Sequence, residues 1–554
     1  MTRRPAPGRP SPRSRREHPE EILFFGGRLL DAPRASKLPA PGRAPSIRKG
    51  GEAVWVRSGR IEAVGRIADL RRRAGKGRAE VDLEGGTLTP GFTDSHIHLV
   101  TWIRSTDEPW MADQTPGAIA TAVRERLAAS PGEEWILIRG FVPRAWEAGR
   151  RLRATLDAIA PDRPLVLYAV DGHSVWANGI ALARVGMTRD TPDPPGGRID
   201  RGPSGDPTGI LIESADRPIR AAVVHGEAPA DSLRRALARA RGLGLTSAHD
   251  FDRSATWRAA QDLERLEALG FRLLLSVPLS SLDHAVSLGL RSGFGSERLH
   301  IGPVKMFADG TLGSSTALLE FPYEGSAGIG IEVTSREELA DGCHRAARAG
   351  LSVAIHAIGD RAVRNALDAI ESPLAKGFRY PLPPRVEHVQ LARLEDLARF
   401  RGLGALASVQ PIHQVTDRPV ALAHWGERTR YSYAYRSLLR AGASLAFGSD
   451  APFDRPGPLL AIQAALVRRG GEEPAEATFH PEQRLTLPQA LRAHLEEPHR
   501  AAAWEAPLGR IAPGYGADLV QWDHDLAATP IESWHQVAAR GVWVGGRPEN
   551  IKNP

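Results

Sequence analysis

Two histidines one residue apart, His96 and His98, close the apolar run GFTDSHIHL at residues 91–99. In an extended strand, alternate side chains point to the same face, so these two imidazoles should project together from the end of a strand. Paired imidazoles in such a place are suited to binding a metal ion. The pair therefore predicts a metal site whose other ligands lie elsewhere in the chain.

Other chemically capable side chains stand in the same position, at the ends of later apolar runs. Lys305 ends HIGPVK, His356 ends SVAIH, His388 ends PRVEH, and Asp450 ends LAFGSD. Four imidazoles and a carboxylate form a ligand set that suits Zn²⁺ or a similar divalent ion. A lysine ammonium, with a reference pKa of about 10.4, would repel metal. A carbamate formed from its amine and CO₂ would instead be anionic and could bridge two ions.

The elements that carry these residues follow a repeating pattern in which an amphipathic helix ends at glycine and an apolar run follows. ALARARGLGLTSAHD, CHRAARAGLSVAIHAIGD and YRSLLRAGASLAFGSD are three examples. Glycine suits the left-handed position after a helix, and the apolar runs are typical of buried parallel strands. The pattern predicts an α/β protein, either a closed barrel or an open doubly wound sheet.

The placement of the polar residues favours a closed TIM-type (β/α)₈ barrel. Eight runs can be counted, including LLLSVPL and those that end at His249/Asp250 and Gln410. In a barrel all eight carboxyl ends converge on one mouth, whereas an open sheet joins only the ends near its switch point.

The two ends of the chain have a different texture and predict a small β-sandwich-like domain built from both termini. EILFFGGRLL and GEAVWVRSGRIEAVG near the start resemble GADLVQWDHD and VAARGVWVGGRPE near the end in their short alternating runs. We expect this domain to comprise residues 22–88 and 505–554, with two unrelated hairpins as the alternative. The barrel then spans 89–504, with an α/β insertion after its first strand at about 105–235.

Composition excludes several classes of protein. The single cysteine, Cys343, allows no intrachain disulfide and no cysteine-based zinc site. Six arginines in the first sixteen residues account for most of the +7 charge, so residues 1–21 are expected to form a disordered Arg/Pro-rich tail and no nucleic-acid partner is expected. No stretch approaches the roughly 20 apolar residues of a membrane span, and no secretion signal is recognised. A cytoplasmic protein without membrane contact is predicted.

The ordered set HxH, Lys, His, His, Asp resembles the amidohydrolase superfamily. VKMFADGTLGSSTA, HAIGDRA, VEHVQ and GSDAP resemble more closely the branch that includes N-substituted formamide deformylases and related exo-acting amidohydrolases, amidohydrolase family 3. DGHSVWANGIAL, PPGGRIDRGPSGDPTGILIES and PLGRIAPGYGADLV fit the same branch, and the resemblance covers roughly residues 22–548.

The resemblance implies a hydrolase with one or two metal ions and a metal-bound hydroxide. It implies that the more buried ion is held by His96, His98 and Asp450, the second ion by His356 and His388, with carboxylated Lys305 shared between them. Such a metal lowers the pKa of bound water towards 7 and polarises a carbonyl, while Asp450 can accept a proton and later deliver it to the leaving amine.

Four residues are predicted to contact substrate: His173, Asp309, Gly310 and Asp360. His173 lies on the insertion and could reach over the site. The alternatives are a plain Asp-Gly turn for Asp309 and Gly310 and helix capping for Asp360. His249, Asp250 and His413 are further candidates for lining the pocket.

The predicted reaction is hydrolysis of a C–N bond in a small-molecule amide that is not part of a peptide backbone. The closest alternative keeps the metal site and changes the substrate to a cyclic amide, a heterocyclic amine that is deaminated, or an ester. A non-catalytic barrel scaffold is the remote alternative. A homodimer is compatible with these expectations.

Overall fold

The computed structural model of the 554-residue chain describes residues 20–32, 52–111, 113–129, 134–142, 152–223, 228–252 and 254–549. The expectation of a disordered tail at 1–21 falls almost entirely outside the described residues.

The described strands are numbered in chain order. They are β1 Glu21–Phe25, β2 Arg28–Leu29, β3 Glu52–Arg57, β4 Arg60–Arg66, β5 Ala79–Asp82, β6 Thr87–Pro90, β7 Phe92–Ile97, β8 Ile136–Phe141, β9 Leu165–Ala169, β10 Ser174–Ala177, β11 Gly197–Arg201, β12 Pro207–Glu213, β13 Leu245–Asp250, β14 Arg272–Pro278, β15 Leu299–Phe307, β16 Val353–Ala357, β17 Arg385–His388, β18 Leu406–Val409, β19 Ser444–Phe447, β20 Leu519–Trp522, β21 Ala539–Val544 and β22 Arg547–Glu549.

The α-helices are numbered in the same way. They are α1 Ile67–Arg73, α2 Leu99–Ser105, α3 Pro116–Ala129, α4 Leu152–Ile159, α5 Gly179–Arg184, α6 Arg217–Ala222, α7 Pro229–Gly242, α8 Ser254–Arg265, α9 Leu282–Ser287, α10 Arg336–Ala349, α11 Asp360–Ala375, α12 Leu394–Leu403, α13 His413–Thr416, α14 Arg418–Trp425, α15 Tyr435–Arg440, α16 Pro458–Val467, α17 Leu487–Leu495 and α18 Glu497–Ala502. Within the described ranges, no helix is both long enough and apolar enough to cross a bilayer.

Eight parallel strands form the central sheet, in the order β19-β18-β17-β16-β15-β14-β13-β7. This order follows the chain from β7 to β19, and the sheet closes almost completely on itself, so the predicted (β/α)₈ barrel is confirmed. The strands are buried along nearly their whole length, because helices cover the outside and side chains fill the inside.

The helix–glycine–strand pattern has the structural meaning that the sequence indicates. Helix α10 begins with a capping box between Ser335 and Glu338 and ends at Gly350, whose φ of 77° is left-handed. Helix α12 ends in the same way at Gly404, with a φ of 63°. Each glycine reverses the chain into the next barrel strand, and this places successive strand ends at the same mouth.

Strands from both ends of the chain share one sheet, in the order β2-β6-β20-β21-β22, beside a second sheet β4-β3-β1-β5. In the shared sheet β20 runs antiparallel to β6, with Leu519 opposite Pro90. Arg272, at the start of β14, forms a buried bidentate pair with Asp518, with N–O distances of 2.6 and 3.0 Å. This pair ties the sheet to the amino-terminal end of the barrel, opposite the mouth.

The chain between β7 and β13 contains a separate mixed sheet in the order β11-β12-β10-β9-β8. The sheet has its own apolar core, which includes Phe141 and Trp176. The loop between β9 and β10 and the end of β12 both lie against the barrel mouth, as described below.

The first and last barrel strands meet at the mouth through backbone hydrogen bonds. The N–H of Asp450 donates to the carbonyl of His96 at 2.7 Å, and the N–H of His98 donates to that of Ala451 at 3.0 Å. The buried Asp94 carboxylate accepts the N–H groups of both Ser449 and His96. Gly448 makes this approach possible, because a Cβ there would lie 2.5 Å from the His96 nitrogen. The seam of the barrel therefore brings three predicted ligands together, His96 and His98 from one side and Asp450 from the other.

Replacing Gly448 with alanine should force this seam apart. We expect Gly448→Ala to lower the free energy of unfolding by about 1–3 kcal/mol, the usual cost of overpacking, and to weaken metal binding. Chemical denaturation and metal analysis measure the two effects. Gly402→Ala is the control, because a Cβ at this exposed helical glycine would meet nothing within 4 Å. Equal free energies of unfolding for Gly448→Ala and the native chain would show that the barrel seam has room for a Cβ at residue 448.

Candidate metal centre

His96, His98 and Asp450 meet at the barrel mouth with the separations of a metal-ligand set. The Nε2 atoms of both histidines lie 3.4 Å from Oδ1 of Asp450. Ligand atoms about 2.0–2.2 Å from a tetrahedral ion are roughly 3.4 Å apart, so one ion could contact all three. His96 and Asp450 are buried, while 18% of the His98 side chain is exposed towards the mouth.

A hydrogen bond to Glu387 determines which nitrogen of His96 can bind metal. The Nδ1 atom lies 2.7 Å from Oε2 of Glu387, and both residues are fully buried. Since a carboxylate only accepts, Nδ1 carries the hydrogen and the Nε2 lone pair faces Asp450. Burial lowers the pKa of His96 to about 4, which leaves the ring neutral and able to bind metal. This carboxylate–histidine arrangement is typical of metal sites.

His356 and His388 are oriented in the same way by different acceptors. Nε2 of His356 donates to the carbonyl of Gly310 at 3.0 Å, and this leaves Nδ1 with the lone pair. Nδ1 of His388 donates to Oε1 of Gln410 at 2.9 Å, and this leaves Nε2. The two ring centroids are 4.4 Å apart, and burial holds the pKa of both well below the usual range. Each ring is thus neutral and has one nitrogen free to bind metal.

Two predicted ligands stand in left-handed backbone conformations, with a φ of 74° at His388 and 59° at Asp450. Non-glycine residues adopt this region only at a cost in free energy, and they cluster at functional sites. The turn at His388 follows directly on Glu387, so the two side chains need not alternate as they would in a regular strand. Local strain is therefore part of how the ligands reach the mouth.

Lys305 is buried beside the same atoms. Its Nζ lies 3.5 Å from Nε2 of His96 and packs over the rings of Phe251 and Phe307. Burial lowers the pKa of Lys305 to about 8, so the uncharged amine is far more accessible near neutral pH than for an exposed lysine. Burial opposes ionisation of Asp450, but the surrounding imidazoles hold its pKa well below the usual range. Asp450 therefore supplies a carboxylate to the site.

His413, which the sequence suggested only as a pocket residue, is closer to the centre than expected. Its ring stacks on His388 at a centroid distance of 6.3 Å. Among the described residues, two groups bring ligand atoms within 4.8 Å of one another: His96, His98 and Asp450, and His388, His413 and Asp450. Asp450 is common to both. His356 belongs to neither group, and the roles of all these residues as metal ligands stay predictions.

His173 enters the mouth from the inserted sheet, near the predicted metal ligands. Its ring centroid lies 5.3 Å from that of His356, and its Nδ1 lies 2.7 Å from Oε2 of Glu213. Burial alone would lower the pKa of His173, but Glu213 raises it to about 9. The other oxygen of Glu213 accepts the hydroxyl of Thr316 in the barrel loop. Sequence reasoning did not single out Glu213, although it quoted the segment PPGGRIDRGPSGDPTGILIES that contains this residue, because nothing in that segment indicates that its last carboxylate contacts His173.

The other predicted substrate contacts have structural roles. Asp309 is fully buried and accepts the backbone N–H groups of Leu318, Ile358 and Gly359, so its carboxylate shapes the loop instead of facing a substrate. Asp360 accepts two backbone N–H groups at the start of α11, as the capping alternative predicts. Gly310 contributes its carbonyl to His356.

His249 and Asp250 lie below the centre, in the barrel interior. Nδ1 of His249 accepts a hydrogen bond from Arg385, and Oδ1 of Asp250 accepts the N–H of Leu99. Both side chains are about 1% exposed. They support the mouth from beneath and do not line a pocket.

Comparison with known proteins finds similarity to amidohydrolases and metal-dependent hydrolases. Residues 79–548 match the model described as "Amidohydrolase family". The chain is 31% identical to the putative amidohydrolase YtcJ of Bacillus subtilis, over 90% of this chain and 95% of that protein. It is 28% identical to the N-substituted formamide deformylase of Arthrobacter pascens, over 86% and 90%. An uncharacterised metal-dependent hydrolase from Pyrococcus horikoshii OT3 superimposes with a TM-score of 0.73 at 27% identity, over 92% of this chain and 99% of that one.

Metal binding should stabilise the fold in a way that depends on His98. We expect Zn²⁺ at about 100 times its dissociation constant to raise the free energy of unfolding of the chelator-treated protein by about 2.7 kcal/mol. In His98→Ala this stabilisation should be lost, because one Nε2 ligand is removed. Thermal unfolding with and without Zn²⁺ measures the effect. His524→Ala, at an exposed histidine of the terminal domain, serves as the control and should respond like the native chain. An unchanged response in His98→Ala would remove His98 from the ligand set.

Proposed function

Since this chain belongs to the amidohydrolase family and is a metal-dependent hydrolase, we propose that it cleaves the C–N bond of a small non-peptide amide, with N-substituted formamides as the first candidates. The observation that carries the proposal is the set His96, His98 and Asp450, whose nitrogen and oxygen atoms have the spacing that a divalent metal requires, with Nε2 of His96 left free because Glu387 accepts its Nδ1–H. The similarity to a protein named N-substituted formamide deformylase supports the choice of substrate.

A divalent ion held by these residues, which we propose to be zinc, supplies Lewis acidity to the scissile carbonyl and acidifies the attacking water. The chain's own contribution begins with Asp450. Its carboxylate is ionised and lies within 3.4–3.9 Å of three imidazoles, so it can accept a proton at Oδ1 or Oδ2 and later return it to the leaving nitrogen. The neutral rings of His96 and His388 hold the site without competing for that proton.

We propose that Lys305 is carboxylated. An uncharged amine is the form that combines with CO₂, and the lowered pKa of Lys305 favours this form. Its Nζ stands 3.5 Å from Nε2 of His96, so a carbamate there would place its oxygens beside the ligand set. A bridging carbamate would join one ion held by His96, His98 and Asp450 to a second near His356 and His388.

His173 is the proposed substrate contact on the side of the insertion. Its Nδ1–H is held by Glu213, so its Nε2 edge is directed by a fixed hydrogen bond. Glu213 is in turn anchored to the barrel through Thr316. The insertion thus presents one polar group to the mouth from a rigid support.

A substrate panel tests the proposed reaction. The metal-loaded protein should release formate and an amine from N-substituted formamides and should be inactive after chelation. N-acyl amines, cyclic amides, heterocyclic amines and esters form the comparison set. Faster turnover of one of these classes than of formamides would identify that class as the substrate. If the metal-loaded protein hydrolyses none of the compounds, the proposed reaction is wrong.

Asp450→Asn separates proton transfer from metal binding. The amide keeps an oxygen but loses the basic carboxylate, so kcat should fall by about 10²–10⁴ while much of the metal is retained. Steady-state kinetics and metal analysis on the same sample measure both quantities. Asp341→Asn, on the exposed face of α10, is the control. Near-native turnover by Asp450→Asn with metal in place would show that another residue carries the proton.

Lys305→Ala should lose most activity and, if two ions bind, one of them. Short carboxylic acids added to this variant should restore part of the activity by replacing the carbamate. Metal content and kinetics with and without the acid are the measurements. Lys376→Ala, at an exposed lysine, is the control. An active Lys305→Ala protein with unchanged metal content would show that this lysine is structural.

A further inference from the structure

A buried arginine lies directly beneath the metal centre and has no part in the proposed reaction. Arg385, at the start of β17, is 1% exposed. Its guanidinium donates to both oxygens of Glu387, at 2.8 Å from Nε to Oε1 and 3.1 Å from Nη2 to Oε2. Both oxygens of Glu387 are therefore fixed in the plane of the fork, which is the geometry that arginine offers and lysine does not.

The same carboxylate holds His96. Oε2 of Glu387, which accepts from Arg385, also accepts the Nδ1–H of His96 at 2.7 Å. Rotation of the carboxylate would break the arginine fork, so the direction of its remaining lone pair is fixed. The orientation of the His96 ring, and with it the direction of the Nε2 lone pair, depends on this contact.

Arg385 also reaches the backbone beside His96 and the neighbouring strands. Nη2 lies 2.6 Å from the carbonyl oxygen of Ser95 and 2.9 Å from the hydroxyl oxygen of Ser408, and its two hydrogens are shared among these acceptors and Oε2 of Glu387. Nη1 donates to Nδ1 of His249 at 2.6 Å. One side chain thus connects β7, β13, β17 and β18 directly below the ligands.

We propose that Arg385 is a positioning residue of the metal centre, which sets the ring of His96 through Glu387 and its backbone through Ser95. The inference rests on the proposed function only in requiring that His96 binds metal. A purely structural arginine would support the barrel without affecting metal affinity, so affinity is the distinguishing measurement.

The test is a double-mutant cycle with Zn²⁺ affinity, measured by chelator competition, as the readout. Glu387→Gln and Arg385→Met should each raise the dissociation constant about 10–100-fold, the usual cost of losing an outer partner of a metal-binding histidine. Since Arg385 acts largely through Glu387, the Zn²⁺ dissociation constant of the double variant should be only slightly higher than that of the single variant with the lower affinity. Arg385→Lys, which keeps the charge but not the fork, should be intermediate.

Arg272→Met is the matched control. Arg272 makes a buried bidentate pair with Asp518 at the opposite end of the barrel, so its loss should lower thermal stability while leaving the Zn²⁺ dissociation constant within about twofold. If the two arginine variants lose similar amounts of melting temperature but only Arg385→Met loses Zn²⁺ affinity, the loss of affinity reflects positioning of the ligands and not general destabilisation.

Folded Arg385→Met with native Zn²⁺ affinity would overturn the inference, as would losses that add fully with those of Glu387→Gln. If Arg385→Met does not fold, Arg385→Lys and Ser408→Ala decide in its place, and native affinity in both overturns the inference. Native protein that binds no Zn²⁺ would instead contradict the proposed function, so the two failures are distinct.

Discussion

The site depends on one buried carboxylate, that of Asp450, which several imidazoles share at the seam of the barrel. Oδ1 lies 3.4 Å from Nε2 of both His96 and His98, and Oδ2 lies 3.9 Å from Nδ1 of His388. A buried anion without compensating charge or hydrogen bonds is expensive, so this cluster is stable only when its members are oriented towards a shared centre. The close seam at Gly448, the Asp94 contacts and the left-handed turn at residue 450 all serve that requirement.

The nitrogen that each histidine offers to a metal is determined by the hydrogen bond at the other nitrogen of its ring. Three different acceptors, a carboxylate, a backbone carbonyl and a side-chain amide, remove the ambiguity about which nitrogen bears the hydrogen on His96, His356 and His388. The acceptors lie on β17, in the loop after β15 and directly after β18, so each predicted ligand is oriented by a segment other than its own. The barrel therefore orients the predicted ligand rings as well as bringing them together. The insertion adds a further imidazole, His173, whose ring is oriented in the same way by Glu213.

The barrel and the ligand positions could be predicted because their signals are local and repeated. Helices such as α10 and α12 end at glycine, the buried strands are short apolar runs, and the predicted ligands stand at the ends of such runs. The supporting residues could not be predicted in this way. Arg385 and Glu387 sit two residues apart on a strand, and nothing in PRVEH indicates that they face inward to His96, 291 residues earlier in the chain.

The misplaced predictions have an equally physical origin. The Asp-Gly pair at 309 suggested a substrate contact or a plain turn, but the carboxylate is buried and accepts backbone N–H groups from two other segments. His413 was predicted only to line the pocket, because its distance from His388 depends on how the chain packs after β18. Contacts between distant segments, which a one-dimensional pattern does not encode, determine both.

The sheet shared by the two ends of the chain has a consequence for biosynthesis. Trp522 on β20 donates to Thr89 beside it on β6, across 433 residues of chain. At about 5–20 residues per second, a ribosome needs roughly 20–90 seconds to supply the partner of β6 after β6 itself has emerged. During that interval the early strands expose an unpaired edge, so the nascent chain is open to association with other chains until translation is nearly complete.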